Sequence, residues 1–222
     1  MRLVLFDLDG TLIDSEALIV ETVGAAFRSI EEPLPSEALI RSVSGITARD
    51  AMVILAPGVA PDRVEQILES YKAQYRLQAG TAREPLFPGA IEALDRLRAQ
   101  SGTLVSVATG KGYRGAVTLL ERHGIIDRFV SIETPDHNRG KPDPQMIATA
   151  MTKTGASAAQ TVMIGDTVHD MRMAKAGGVG AIGVAWGYHE VDDLHEAGAD
   201  VVIERFEQLD EAIDRLLGTG DA

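Results

Sequence analysis

The stretch LVLFDLDGTL at residues 3–12 places an apolar run directly before two aspartates and a glycine. Such a run, without internal proline, is typical of a strand buried on both faces of a parallel sheet, and it predicts a strand over Leu3–Leu8. Ligands of open parallel sheets bind at the carboxyl ends of strands. There Asp7 and Asp9, two residues apart, would face one site, and Gly10 would let the backbone turn sharply.

Further short apolar runs alternate with segments of helical period along the rest of the chain. The predicted strands are Thr103–Ala108, Phe129–Ile132, Thr161–Ile164, Ala181–Val184 and Val201–Ile203. The predicted helices lie near 89–100, 111–123, 143–154, 167–176 and 206–217. Because this alternation is typical of βαβ units, the sequence predicts an α/β protein whose core is a three-layer, Rossmann-like parallel sheet.

Residues 15–84 break this rhythm, since they contain no strand pattern. They are typical of amphipathic helices separated by turn-forming residues at 32–35, 44–45 and 57–61. Prolines and a glycine at 85–89 mark the return to the alternating pattern. We therefore expect an α/β core formed by residues 1–14 and 85–222, and an inserted α-helical cap subdomain at 15–84.

Composition excludes several classes of protein. The 222 residues include 21 basic and 33 acidic side chains, so the net charge is −12, which argues against a nucleic-acid partner. The absence of cysteine excludes disulfides and thiolate chemistry. Asp7 and Asp9 interrupt the first apolar run too early for a signal peptide or a membrane span. We expect a cytoplasmic protein, monomeric or homodimeric, without a membrane partner.

The paired aspartates suggest a metal site. Like charges this close are costly unless a cation lies between them, and all-oxygen ligands favour Mg²⁺. Taken alone, Asp7 and Asp9 are equally well explained as solvated turn residues. Asp166 and Asp170, however, follow another predicted strand. Helix capping would explain Asp170, but it does not explain paired aspartates at two strand ends, whereas a shared metal site does.

Two further segments suggest an anion site. Thr109 and Gly110 lie where a predicted strand meets a helix, a place where free backbone N–H groups bind anions. Lys141 lies just before a helix opened by proline and would supply positive charge. The ordinary alternatives are a helix N-cap for Thr109 and a solvated loop residue for Lys141.

In this order, the motifs resemble those of the haloacid dehalogenase-like hydrolases with a helical cap, and phosphoglycolate phosphatases are the nearest resemblance. The resemblance covers nearly the whole chain. It rests on Asp7-Leu8-Asp9-Gly10-Thr11, then Thr109, then Lys141 with Pro142, then Gly165-Asp166 and Asp170. Each motif alone is weak or moderate evidence for the family. The four motifs in this order, together with an inserted helical segment, are specific for it.

The resemblance implies a Mg²⁺-dependent phosphatase that hydrolyses a small phosphorylated metabolite, a phosphoglycolate-like compound or a sugar phosphate, through an aspartyl-phosphate. Asp7 would be the nucleophile, and Asp9 the general acid and then base. The metal would be held by Asp7, the Asp9 carbonyl and Asp166, with Asp170 as a ligand or supporting group. Thr109, Gly110 and Lys141 would hold the phosphoryl oxygens.

The turn around Gly45 resembles the substrate-specificity loop of the family's caps, and Arg41 and Arg49 flank it. Either arginine could bind a second anionic group of the substrate, or both could be ordinary surface residues.

Two other functions stay open. Sugar-phosphate mutases of the same superfamily use a histidine in the cap, soon after the first motif. That function is disfavoured here, because residues 15–84 contain no histidine and the comparable helix carries Ile19. A non-enzymatic phospho-acceptor domain of the receiver type would be about half this length and would lack the cap.

Overall fold

The computed structural model describes residues 1–78 and 84–218 and is built on one parallel sheet. Its strands are β1 (Arg2–Phe6), β2 (Thr103–Ala108), β3 (Ser131–Glu133), β4 (Thr161–Gly165), β5 (Gly180–Val184) and β6 (Val201–Ile203). They lie in the order β3-β2-β1-β4-β5-β6, and every neighbouring pair is parallel. The predicted α/β fold class is confirmed.

Ten α-helices occur within the described ranges. They are α1 (Glu16–Ser29), α2 (Glu37–Ser42), α3 (Ala48–Leu55), α4 (Pro61–Gln78), α5 (Ala90–Ala99), α6 (Tyr113–Arg122), α7 (Gln145–Thr154), α8 (Val168–Gly177), α9 (Val191–Glu196) and α10 (Leu209–Leu217). None of these described helices is both long and apolar enough to cross a membrane.

Side-chain alternation along β1 divides the core into two apolar layers. Val4 and Phe6 belong to a cluster that α5, α6 and α10 cover, whereas Leu3 and Leu5 belong to a second cluster that α7, α8 and α9 cover. All four side chains are fully buried. The sheet is therefore the middle of three layers, which explains why its strands are apolar throughout rather than alternating.

The helices α1 to α4, residues 16–78, form what we call the helical unit. They pack around an apolar cluster of their own, which includes Val23, Phe27, Met52, Leu55 and Ile67. The loops that connect these helices coincide with the turn-forming residues at 32–35, 44–45 and 57–61. Residues 79–83, near the end of the predicted cap, lie outside the described residues.

The first strand is shorter than predicted, because it ends at Phe6 rather than Leu8. The Leu8 carbonyl accepts hydrogen bonds from the backbone N–H groups of Thr11, Leu12 and Ile13, which closes a tight turn. Asp7 is therefore the first residue after the strand rather than part of it.

Other boundaries also differ from the predicted ones. The third strand begins at Ser131 instead of Phe129, because the Phe129 N–H bonds the Ile126 carbonyl and closes a 3₁₀ turn. The predicted helix at 206–217 is a 3₁₀ turn followed by α10. Helix α9 was missed because its only buried residue is Leu194, so it carries no apolar period.

We predict that Leu94→Ala lowers the free energy of unfolding by about 2–5 kcal/mol, because it leaves a cavity under α5. Leu94 is 0% exposed in the larger core cluster. The control is Ile91→Ala on the same helix, where the side chain is 39% exposed and the expected loss is under about 1 kcal/mol. Urea denaturation measures both, and equal losses would contradict the assignment of α5's buried face.

Candidate active site

Four chemistry-bearing side chains follow neighbouring strands at the same edge of the sheet. Asp7 follows β1, Thr109 follows β2 and Asp166 follows β4, while β1 lies between β2 and β4. The chain after β3 brings Lys141 to the same place. The candidate site thus lies at the carboxyl ends of the central strands, where the sequence predicted it.

Lys141 joins two of the carboxylates in a buried ion triad. Its Nζ lies 2.8 Å from Asp7 Oδ2 and 2.6 Å from Asp170 Oδ1. The three residues are at most 3% exposed. Lys141 is therefore not the solvated loop residue of the ordinary alternative.

Burial and charge shift the pKa values of three buried groups at the site, Asp7, Lys141 and Asp166. Burial raises the pKa of Asp7 to about 7, with Lys141 acting against the shift and Asp170 adding to it. Burial opposes the charged form of Lys141, but Asp170 and Asp7 outweigh it and raise the pKa of its ammonium. Burial, Asp170 and Asp7 also hold the pKa of Asp166 well above its usual range.

Asp166 is fixed from two sides. Its Oδ1 accepts a hydrogen bond from the Thr11 hydroxyl at 2.7 Å, and its Oδ2 accepts one from the Tyr188 backbone N–H at 3.0 Å. The turn at Gly10 makes room for it: φ there is +79°, and a Cβ would stand 2.2 Å from Asp166 Oδ2. A side chain at Gly10 would therefore push Asp166 out of place.

Asp170 has two roles in the structure, one for each carboxylate oxygen. Its Oδ2 accepts from the backbone N–H and the hydroxyl of Thr167, at 3.1 and 2.6 Å, in a capping box that begins α8. Its Oδ1 faces Lys141. Both alternatives considered for Asp170, helix cap and site residue, therefore describe part of its environment.

Asp9 is held by groups to which the sequence analysis gave no role. Its Oδ1 accepts from the Ser15 hydroxyl at 2.6 Å, and the Tyr188 hydroxyl lies 3.0 Å from that of Ser15. Its Oδ2 lies 3.1 Å from Lys111 Nζ. Lys111 directly follows Thr109 and Gly110, and that position was the one sequence signal available for it.

Thr109 is not a helix cap, since α6 begins at Tyr113 and Gly112 occupies the N-cap position. Its hydroxyl accepts a 3.3 Å hydrogen bond from the Lys111 backbone N–H. The Thr109 side chain is 1% exposed and lines the same cavity as Asp7 and Asp9.

Gly110 touches the helical unit. A Cβ on it would lie 2.5 Å from the Gly45 carbonyl oxygen and 2.6 Å from that of Ile46. The turn at 44–47 therefore packs directly on the loop that carries Thr109, and only glycine allows this approach.

A cavity of about 1010 Å³ lies between the core and the helical unit. Asp7, Asp9, Thr109 and Gly110 line it from the core, and Gly45 and Arg49 line it from the helical unit. Arg49 is ion-paired with Glu65. Arg41 lies outside the cavity lining and is ion-paired with Glu16.

The buried carboxylates meet the chemical requirements of a cation site. One oxygen from each of Asp7, Asp166 and Asp170 lies within 4.8 Å of the other two, and all three residues are buried. The ammonium of Lys141 is ion-paired with two of them, Asp7 and Asp170. Burial, together with Asp170 and Asp7, raises the pKa of Asp166, and a hard divalent cation would favour its ionised form.

Comparison with known proteins assigns the family. The family model of the haloacid dehalogenase-like hydrolases matches residues 4–184. The chain belongs to this family, which confirms the resemblance found in the motifs.

Individual relatives match nearly end to end. The chain is 39% identical to the probable phosphatase IndB of Dickeya dadantii, covering 97% of this chain and 94% of the relative. It is 30% identical to a phosphoglycolate phosphatase of Agrobacterium fabrum, and the match covers 99% of this chain and 96% of the relative. The crystal structure of a hydrolase from Pseudomonas syringae superposes with a TM-score of 0.86 at 27% identity, covering 97% and 99%.

We predict that Gly110→Ala loosens the contact between the helical unit and the core, because the added methyl would overlap two backbone carbonyls. At a cost of about 1–3 kcal/mol, hydrogen exchange at residues 43–47 should become roughly tenfold faster or more. The matched control is Gly112→Ala, whose Cβ would lie 3.6 Å from its nearest neighbour, Asp136. Unchanged exchange in Gly110→Ala would show that this contact does not hold the turn.

Proposed function

We propose that the protein is a Mg²⁺-dependent phosphomonoester hydrolase that works through an aspartyl-phosphate on Asp7. The observation that carries this proposal is the buried triad, in which Lys141 Nζ lies 2.8 Å from Asp7 Oδ2. The Lys141 ammonium holds the buried Asp7 side chain beside the cavity, in a position to attack phosphorus. The family membership and the phosphatases among the relatives support the same reaction class.

The metal would be held by Asp7, the Asp9 backbone carbonyl and Asp166, with Asp170 close by. When bound, Mg²⁺ would neutralise charge on the phosphoryl oxygens and screen them from the carboxylates. The buried oxygens of Asp7, Asp166 and Asp170 support this set, since they lie within 4.8 Å of one another. The Tyr188 N–H and the Thr11 hydroxyl would orient Asp166 toward the ion.

In the first step an Asp7 carboxylate oxygen attacks phosphorus, and the bond from phosphorus to the ester oxygen breaks. Asp9 gives its proton to that oxygen, so the alcohol leaves neutral. Lys141 and the hydroxyl of Thr109, with the backbone N–H groups around Gly110, would hold the phosphoryl oxygens whose charge changes during transfer.

In the second step Asp9, now a carboxylate, accepts a proton from water while the water oxygen attacks phosphorus. The bond between phosphorus and Asp7 breaks and releases inorganic phosphate. Asp9 regains the proton that it gave up, so the cycle balances without a further reactant.

The helical unit would act as a cap over this chemistry. We propose the division made from the sequence, with residues 1–14 and 85–222 as core and 15–84 as cap. The contact between Gly110 and the turn at 44–47 supports a cap that closes directly over the phosphate-binding loop. Closure of this kind excludes water from the transfer step. A cytoplasmic location, a small phosphorylated metabolite as partner, and a monomeric or homodimeric state stay predictions.

The alternative functions have less support. The mutase relatives use a histidine in the cap, whereas Ile19, the residue at the comparable helix, lines the cavity with an apolar side chain. A receiver-type phospho-acceptor would not need a cap or a cavity of about 1010 Å³ above the aspartates.

We predict that the wild-type protein releases phosphate continuously from small phosphomonoesters, and that EDTA abolishes the release and Mg²⁺ restores it. Asp7→Asn should reduce the rate by at least about a thousandfold, because the amide is not a nucleophile. The control is Asp127→Asn, an exposed aspartate outside the cavity, which should retain the wild-type rate. Equal release by wild type and Asp7→Asn would overturn the assignment of Asp7, and a single turnover per chain would favour the phospho-acceptor.

A further inference from the structure

The helical unit lines its part of the cavity mainly with apolar side chains. Val23, Met52, Leu55 and Leu68 are at most 4% exposed and still contribute to the cavity surface. Ile19 is half-buried on the same lining. The cavity therefore reaches into the apolar interior of the helical unit.

The cations of the cavity are poorly placed to receive a second anionic group. Arg49 and Lys72 are ion-paired with Glu65 and Glu69. Lys111 is paired with Asp9, and Arg122 with Glu84. The remaining two that line the described cavity, Arg76 and Arg114, are exposed to solvent. A substrate carboxylate could reach Arg76 or Arg114 only where the lining is exposed to solvent, and at the other four cations it would have to displace an existing ion pair.

The size of the cavity also favours a ligand larger than a two-carbon acid phosphate. At about 1010 Å³ it lies at the upper end of the range for small-molecule sites, about 300–1,000 Å³. A phosphate group with a two-carbon acid attached would leave most of the apolar lining of the cavity in contact with water. An alcohol with a ring or a chain would displace that water.

We propose that the natural substrate is the phosphomonoester of a bulky alcohol with an apolar face, rather than of a small carboxylated alcohol such as glycolate. This inference rests on the proposed phosphatase function. It assigns the phosphate to the core residues and the apolar part of the alcohol to the helical unit.

The test compares three primary alkyl phosphates with similar leaving groups: 2-phenylethyl phosphate, ethyl phosphate and phosphoglycolate. We expect kcat/KM for 2-phenylethyl phosphate to exceed both of the others by about tenfold or more, because only that ester buries apolar surface. Ala51→Phe and Ile19→Phe fill the lining and should abolish this advantage while ethyl phosphate is still hydrolysed. Two positions are used because Ala51 is 8% exposed and one variant could disturb packing.

The control is Val53→Phe, on the same helix as Ala51 but 52% exposed and outside the cavity, which should leave the preference unchanged. Preference for phosphoglycolate would overturn the inference, as would equal losses for ethyl and 2-phenylethyl phosphate in both filling variants. Failure to hydrolyse any ester would instead refute the proposed function.

A second, independent observation concerns Tyr75 of α4. Its hydroxyl accepts a hydrogen bond from Lys111 Nζ at 2.8 Å and donates one to Glu84 Oε1 at 2.8 Å. Lys111 Nζ in turn lies 3.1 Å from Asp9 Oδ2. A continuous polar chain therefore runs from the helical unit to the carboxylate of Asp9.

We infer that Tyr75 is a positioning residue that acts on Asp9 through Lys111. The Lys111 side chain is 10% exposed and that of Asp9 is 15% exposed, so neither has much freedom. Because Tyr75 belongs to the helical unit and Lys111 to the core, the orientation of Asp9 depends on how the two units meet. This inference also rests on the proposed function.

The test is Tyr75→Phe, which removes the hydroxyl and keeps the ring. With ethyl phosphate, whose alkoxide needs a proton to leave, kcat should fall by about tenfold while KM changes little. With p-nitrophenyl phosphate, whose leaving group needs no proton, the rate of the first step, measured as p-nitrophenol released in a single turnover, should hardly change. In an Asp9→Asn background the substitution should have no further effect on ethyl phosphate.

A purely structural role for Tyr75 would lower the rate of the first step for both esters alike, and a substrate-binding role would raise KM instead. Either result would overturn the inference. The control is Tyr113→Phe, the same substitution at a tyrosine that is 44% exposed and lies outside the cavity lining.

Discussion

The arrangement of the candidate site depends on one buried cation. Lys141 lies within 2.8 Å of carboxylate oxygens from Asp7 and Asp170, and all three residues are at most 3% exposed. Two carboxylates could not stay ionised so close together without it, and removal of one partner from a buried ion pair costs about 3–5 kcal/mol. The same lysine joins the end of β1, the start of α8 and the loop after β3. Lys141 therefore both holds these three segments together and compensates carboxylate charge at the site.

The sequence predicted the fold, and several residues that it proposed for the site lie together in the structure, because both results depend on local patterns. Apolar runs gave the strands, and each key residue follows a strand directly, so the sheet brings Asp7, Thr109 and Asp166 together. Contacts between distant segments were not predictable in this way. The hydrogen bonds of Ser15 to Asp9 and of Tyr75 to Lys111 carry no periodic signal. The ion pair that occupies Arg49 also depends on how α3 meets α4.

The core and the helical unit present different chemistry to the cavity between them. The core supplies carboxylates, a buried lysine and backbone N–H groups, which suit the transfer of a charged group. The helical unit supplies mainly apolar side chains, and Arg49, one of its lining arginines, is already paired. Local environment, rather than the net charge of −12, decides what enters. Of the 33 acidic residues, Asp7, Asp166 and Asp170 are buried at the site, and Lys141 balances part of their charge.

The central claim is that Asp7, held by Lys141, accepts the phosphoryl group. Acid quenching of the enzyme during turnover of a phosphomonoester, followed by mass spectrometry of its peptides, tests this directly. The account predicts a phosphoryl group on Asp7. With p-nitrophenyl phosphate, whose leaving group needs no proton, it should accumulate further in Asp9→Asn, since that variant cannot activate water for the second step. A phosphoryl group on any other side chain, with Asp7 unmodified while turnover proceeds, would contradict the account.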